Sequence, residues 1–72
     1  MKREKFNYQK LRGRIVEVYG SQSAYCKENR VNESSFSQKL TNKRYFDQEE
    51  ILEHCKNLNI PYNQISDYFF AV

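Results

Sequence analysis

Tryptophan is absent from these 72 residues, and glycine (two), cysteine (two), proline, methionine and histidine (one each) are scarce. Each shortage excludes something. One histidine, His54, and two distant cysteines without a Cys-x-x-Cys pair do not make a zinc site, so no metal is expected. Cys26 and Cys55 fall on the apolar faces of separate predicted helices and read as small, reduced core residues. The sequence has no glycine-rich phosphate loop and no nucleophile spaced from a base, and the chain is too short to wall off a pocket. An enzyme, a cofactor and a small-molecule substrate are therefore not expected. No apolar run approaches the ~18 residues that cross a bilayer. The basic start, Met1–Lys5, lacks the apolar segment of a secretion signal, so the expectation is a cytoplasmic chain without a membrane partner. No repeat or linker divides the sequence, and residues 1–72 read as one domain near the lower size for folding alone.

What the sequence does contain is aromatic rings and unevenly placed charge. Hydrophobic residues make up 39% of the chain and aromatics 15%; with few large aliphatics, the rings must build much of the core. Burying each large apolar side chain contributes roughly 1.5–3 kcal/mol. Eleven Lys and Arg against four Asp and Glu give residues 1–46 a charge of +7. One Lys against five acids gives residues 47–72 a charge of −4, and the two sum to the chain's +3. A basic two-thirds followed by an acidic third suits a polyanion-binding face whose opposite is turned away, although an unevenly charged solvated surface has the same composition.

Helical spacing dominates the pattern. Asn7 is placed to cap a first helix, with Phe6 stapled onto Leu11; Tyr8, Leu11, Ile15 and Val18 turn inward, and Lys10, Arg12, Arg14 and Glu17 outward. Gly13 in mid-helix costs up to ~1 kcal/mol against alanine, which close approach of another helix would explain, and Gly20 stops the helix. Ser21 caps a second helix with Ala24, Tyr25 and Glu28 on one face. Asn32 caps a third, with Val31 stapled onto Phe36. In this helix only Phe36 and Leu40 point inward, while Ser34, Ser37, Gln38 and Thr41 occupy the other side. Asp47-Gln-Glu-Glu50 is a capping-box start with a Phe46–Ile51 staple, and Ile51, Leu52, Cys55 and Leu58 form the stripe that follows. Glu49, Glu50 and Glu53 read as solvated acids favoured by the helix dipole. Asn59 ends this helix, and Pro61 opens a last short one in which Ile65, Tyr68 and Phe69 share a face. Phe70 and Val72 fit poorly on that face, and only the tail, residues 67–72, is open to a strand. The expected fold is all-α: a compact bundle of about five short helices.

The runs Gly20-Ser-Gln-Ser-Ala-Tyr-Cys26, Val31-Asn32-Glu33 and Phe36-Ser-Gln-Lys-Leu-Thr-Asn-Lys43 resemble the helix-turn-helix of small phage Cro-like and repressor-like proteins. Leu11-Arg-Gly-Arg-Ile-Val-Glu17, Ile60-Pro61 and Tyr68-Phe69-Phe70 are similar to one subfamily of these from phages of Gram-positive bacteria, so the likeness runs from Phe6 onward. Two turn positions depart from the family's pattern. Glycine usually stands where Arg30 does, and a buried aliphatic where Asn29 does. Either Arg30 adopts the left-handed conformation, at roughly 1–2 kcal/mol, or Asn29 does and the turn shifts by one residue.

The resemblance implies a lambda repressor-like DNA-binding domain with its helix-turn-helix at residues 21–41. Its expected partner is a double-stranded DNA operator, bound sequence-specifically by a phage or prophage transcriptional repressor acting as a homodimer on a pseudo-palindrome. Base contacts are expected from Asn32, Glu33, Ser34, Ser37 and Gln38, the Gln38 amide being suited to adenine N6 and N7. Phosphate contacts are expected from Gln22, Lys39, Thr41, Asn42, Lys43 and Arg44. Dimerisation is expected through Tyr68, Phe69 and Phe70 in the tail, 67–72. The charged arm, residues 1–5, either touches phosphates or is a functionless end. Two other classes stay open. A protein-interaction module, an antirepressor or host-factor inhibitor, is favoured by Glu33 at the tip of the third helix, whose carboxylate either accepts from a cytosine amino group or repels phosphates. Single-strand or RNA binding would use tyrosines on a basic surface.

Overall fold

A computed structural model describes residues 5–72; Met1–Glu4, most of the charged arm, lie outside the described residues. Three helix starts form where a capping side chain takes up an orphan N–H. Ser21 Oγ accepts from the Ala24 N–H at 3.0 Å and begins α2 (Gln22–Glu28). Asn32 Oδ1 accepts from the Ser35 N–H at 2.9 Å and begins α3 (Glu33–Leu40). Asp47 and Glu50 close a reciprocal capping box, both bonds 2.8 Å, at the start of α4 (Gln48–Leu58). The first helix, α1 (Gln9–Tyr19), begins a residue late: Asn7 Oδ1 accepts from the Gln9 N–H at 2.9 Å, but Tyr8 stands at the cap position. Beyond Pro61 a 3₁₀ turn (Tyr62–Gln64) leads into α5 (Ile65–Phe69). The described residues hold five α-helices and no strand, and none of the helices is long and apolar enough to cross a membrane.

The core gathers Leu11 and Ile15 of α1, Tyr25 and Cys26 of α2, Phe36 and Leu40 of α3, Ile51, Cys55 and Leu58 of α4, with Tyr8, Ile60 and Phe69. Half-buried Phe46 packs against this cluster, edge-on to Tyr8, Phe36, His54 and Phe69. Two inward positions differ from the sequence pattern. Val18 is 42% exposed, and Tyr19 takes its place, packing edge-on against Tyr25 and donating to the Asn57 carbonyl at 3.1 Å. Leu52 is 46% exposed, and His54 turns inward instead. Phe6 packs against the rings of Tyr8, Tyr45 and Phe70. A Cβ on Gly13 would meet nothing within 4 Å, so no helix approach explains that glycine.

Two outward-predicted arginines reach neighbouring helix ends. Arg14 Nε donates to the Leu58 carbonyl at 2.8 Å, and Arg12 Nη2 to the Leu40 carbonyl at 3.4 Å. Each satisfies a carbonyl that the last turn of α4 or α3 leaves without a helical partner. The turn after α2 is also settled: Arg30 is left-handed at φ 56°, whereas Asn29 is at φ −101°. Around it the Val31 N–H donates to Cys26 C=O at 2.8 Å and the Arg30 N–H to Lys27 C=O at 3.4 Å. The same pair of bonds recurs around left-handed Asn42 after α3 and left-handed Asn59 after α4.

Candidate nucleic-acid interface

On its inner side α3 is held by Phe36, Leu40 and, against expectation, Lys39. Lys39 is 8% exposed; its ammonium pairs with Glu50 of α4 and lies 5.9 Å from the centre of the Phe46 ring. This corrects its assignment as a phosphate contact, since the charge is directed at α4 rather than solvent. The wheel places residue 39, at i+3 from Phe36, on the inward arc, where its charge concealed it. Glu50 titrates below the usual carboxylate range: burial pushes it up, but the hydrogen bond from Lys39, the Asp47 N–H and the lysine's charge outweigh burial.

Behind this pair lies a buried polar network joining α2 to α4. Asn57 Nδ2 donates to the Tyr25 hydroxyl at 3.4 Å, and that hydroxyl shares a hydrogen bond with His54 Nδ1 at 2.5 Å. Burial pushes the Tyr25 phenol up to about 12 and pulls His54 down to about 4; the Glu50 charge opposes the second shift and that of Lys39 adds to it. His54 is thus neutral at pH 7.

The outer side of α3 is different. Ser34 and Gln38, one turn apart, are exposed, and their side chains make no hydrogen bond to another described residue. Asn32 uses its carbonyl oxygen as the cap and keeps its NH₂. Ser37 accepts from Gln22 Nε2 at 2.9 Å and keeps its own proton to donate, so Gln22 braces α2 on α3. Glu33 accepts from Ser23 Oγ at 2.9 Å, which holds its carboxylate over α2.

Beyond Leu40 the expected phosphate contacts separate. The single proton of the Thr41 hydroxyl is directed back at the Ser37 and Gln38 carbonyls, at 2.9 and 3.2 Å, leaving lone pairs that cannot serve a phosphate oxygen. Asn42 turns its amide away from solvent: Oδ1 accepts from the Phe6 N–H at 2.8 Å and Nδ2 donates to the Phe6 carbonyl at 2.9 Å. Lys43 and Arg44 are exposed. Arg44 leans back on Ser35 Oγ at 3.3 Å with most of its donors still available. Sequence reasoning missed Ser35 and Ser23, because both meet partners on a different element with no local spacing to announce it.

The expected dimerisation trio also divides. Phe69 is 1% exposed and packs edge-on against Phe46, so it is a core residue; this corrects its assignment to an interface. Tyr68 is half-buried beneath the Lys10 ammonium, 4.9 Å from the ring centre, while Phe70 remains 48% exposed.

The surface that results carries amide and hydroxyl groups on Asn32, Ser34, Ser37 and Gln38, with two cations just past the helix end. Neutral groups of this kind pair with base edges, and cations with the phosphates beside a groove. No curated protein matches the sequence. Residues 4–72 match one family across nearly their whole length, and the chain belongs to that family, described as protein of unknown function (DUF739).

Proposed function

We propose that this chain is a sequence-specific double-stranded-DNA-binding repressor. In this reading α2, the turn at Arg30 and α3 form a helix-turn-helix of the Cro-like and repressor-like kind. The observation that carries it is the outer side of α3, where Ser34 and Gln38 stand exposed, their side chains without a hydrogen bond to another described residue, while all the helix's apolar side chains face the core. The resemblance of residues 20–43 to phage helix-turn-helix proteins supports the same reading. Lys43 and Arg44 would supply the salt-dependent grip on phosphates, and Gln38 the discrimination. A module offering ~1–3 kcal/mol per base pair needs a second copy to select one site, so the binding form is a homodimer on two half-sites about one helical turn apart. Within the tail, Phe70 and Val72 are the exposed apolar groups left for that contact.

Selection of binding sites from random duplex DNA tests this directly: a palindromic consensus is expected. On that consensus Gln38→Ala should cost roughly 1–3 kcal/mol, with almost no change on random duplex. An unchanged operator affinity would remove α3 as the reading element. The second reading, a protein-interaction module, is favoured by a half-open apolar hollow of about 300 Å³ among Phe6, Tyr8, Tyr45, Phe46, Ile51 and Phe70. A selection that enriches no sequence, together with weak and salt-insensitive duplex binding, would put it first.

A further inference from the structure

The two hydrogen bonds between Asn42 and Phe6 join residues 36 apart in sequence and pin the start of the described chain to the end of α3. Asn42 pairs with both the N–H and the C=O of Phe6, as a neighbouring strand would, so the segment's direction is set as well as its position. The Phe6 ring fixes it further, with centroids 5.9 Å from Tyr45 and 5.6 Å from Phe70. Lys5 is exposed, and its carbonyl carbon is bonded directly to the Phe6 nitrogen that Asn42 holds. The Lys5 Cα is therefore only two bonds from that nitrogen, beside the residue that precedes Lys43 and Arg44 in the chain.

We propose that Lys5 is a further phosphate-contacting residue, delivered to the Lys43–Arg44 edge by Asn42 acting as a positioning residue. The inference rests on the DNA-binding reading above, because it adds a contact to the same surface. It also gives Asn42 a role other than the direct contact expected from sequence. A lysine on an untethered segment would sample many directions and add little to an ordered interface. One that adjoins a clamped residue, held by the turn that leads into two other cations, loses less freedom when a phosphate arrives.

The test is a set of salt titrations of the full chain on a short random-sequence duplex, where only phosphate contacts count. Asn42→Gly is the informative variant, since glycine keeps the left-handed backbone at φ 66° and removes only the amide clamp. Lys5→Gln should lower the slope of log affinity against log salt by about 0.9, and weaken binding roughly five- to tenfold at 0.1 M salt. Asn42→Gly should lose a similar part of the slope with its helical circular dichroism intact, and the double variant should lose no more than Lys5→Gln alone. Lys56→Gln, on α4, should leave the slope unchanged. A wild-type slope in Lys5→Gln overturns the inference whatever Asn42→Gly does. A reduced slope in Lys5→Gln with additive loss in the double variant also overturns it, because the lysine would then act without the clamp. Absence of salt-dependent duplex binding by the wild-type chain would instead defeat the DNA-binding reading itself.

Discussion

Helices α3 and α4 begin alike, each behind a side-chain cap, yet their residues are put to different uses. In α4 the cap is reciprocal, four side chains (Ile51, His54, Cys55 and Leu58) are buried, and Arg14 closes the far end. In α3 the cap runs one way, the buried set is Phe36, Leu40 and the paired Lys39, and the remaining positions are three serines, Gln38 and the acidic Glu33. The three serines among the eight residues of α3 are poorer helix formers than the Glu, Gln, Leu and Lys that prevail in α4, so α3 depends more on its packing for its helicity. Both helices anchor in the core, but the exposed hydroxyl and amide chemistry lies on α3.

Phe36→Ala should expose that dependence most strongly. Removing a ring that meets Tyr25, His54 and Phe46 is expected to cost about 3–5 kcal/mol by denaturant unfolding, against under about 0.5 kcal/mol for Leu52→Ala on the open side of α4. Comparable losses at the two sites would erase the contrast.

Acid should come next, through the network that ties α2 to α4. His54 is held neutral down to about pH 4 in the fold, whereas the unfolded chain takes up that proton near 6.5. The unfolded state therefore binds more protons between those values, and stability present above pH 6.5 drains away as pH falls towards 4, by up to about 3 kcal/mol. Glu50, depressed by Lys39, continues the loss in the same direction below the ordinary carboxylate range. Melting temperature followed against pH should show the fall, and His54→Gln should flatten its upper part. A flat wild-type profile from pH 7 to 4 would mean the imidazole charges without cost.

Arg30→Gly should have the smallest effect and the opposite sign. The left-handed φ of 56° strains arginine where Asn42 and Asn59, in equivalent turns, tolerate it. Relief of that strain, offset in part by glycine's greater freedom when unfolded, should raise stability by up to about 1 kcal/mol in thermal melts. A loss would show that the Arg30 side chain holds the entrance to α3 in a way its backbone angle does not reveal.

The helix starts at Ser21, Asn32 and Asp47 were legible because capping is local: donor and acceptor lie three residues apart. What the sequence could not separate was neighbours on a helical wheel. Val18 and Tyr19 flank the same stripe, as do Leu52 and His54, and in each case the longer or ring-bearing side chain found a partner on another helix. Lys39 was hidden by its charge, since burial of a lysine depends on Glu50 being opposite, a fact of tertiary structure. Asn42 and Phe6 lie too far apart for any spacing rule to pair them. On the candidate surface, Ser34 and Gln38 stand outward as their helical spacing implies and the loop cations Lys43 and Arg44 are exposed, while Thr41 and Asn42 are engaged by the chain itself.

One short bond reaches further than its size suggests. The Asn7 N–H donates to the Ala71 carbonyl at 2.6 Å, closing nearly the whole described chain into a ring. Between those two residues Arg14 reaches Leu58 and Tyr19 reaches Asn57, so the ring is cross-braced by contacts of similarly long sequence separation. Such contacts form late, after most of the loop entropy has been lost, and they are lost together. Peeling α5 away would therefore release this bond and part the Phe70 ring from Phe6, and so loosen the clamp at the end of α3.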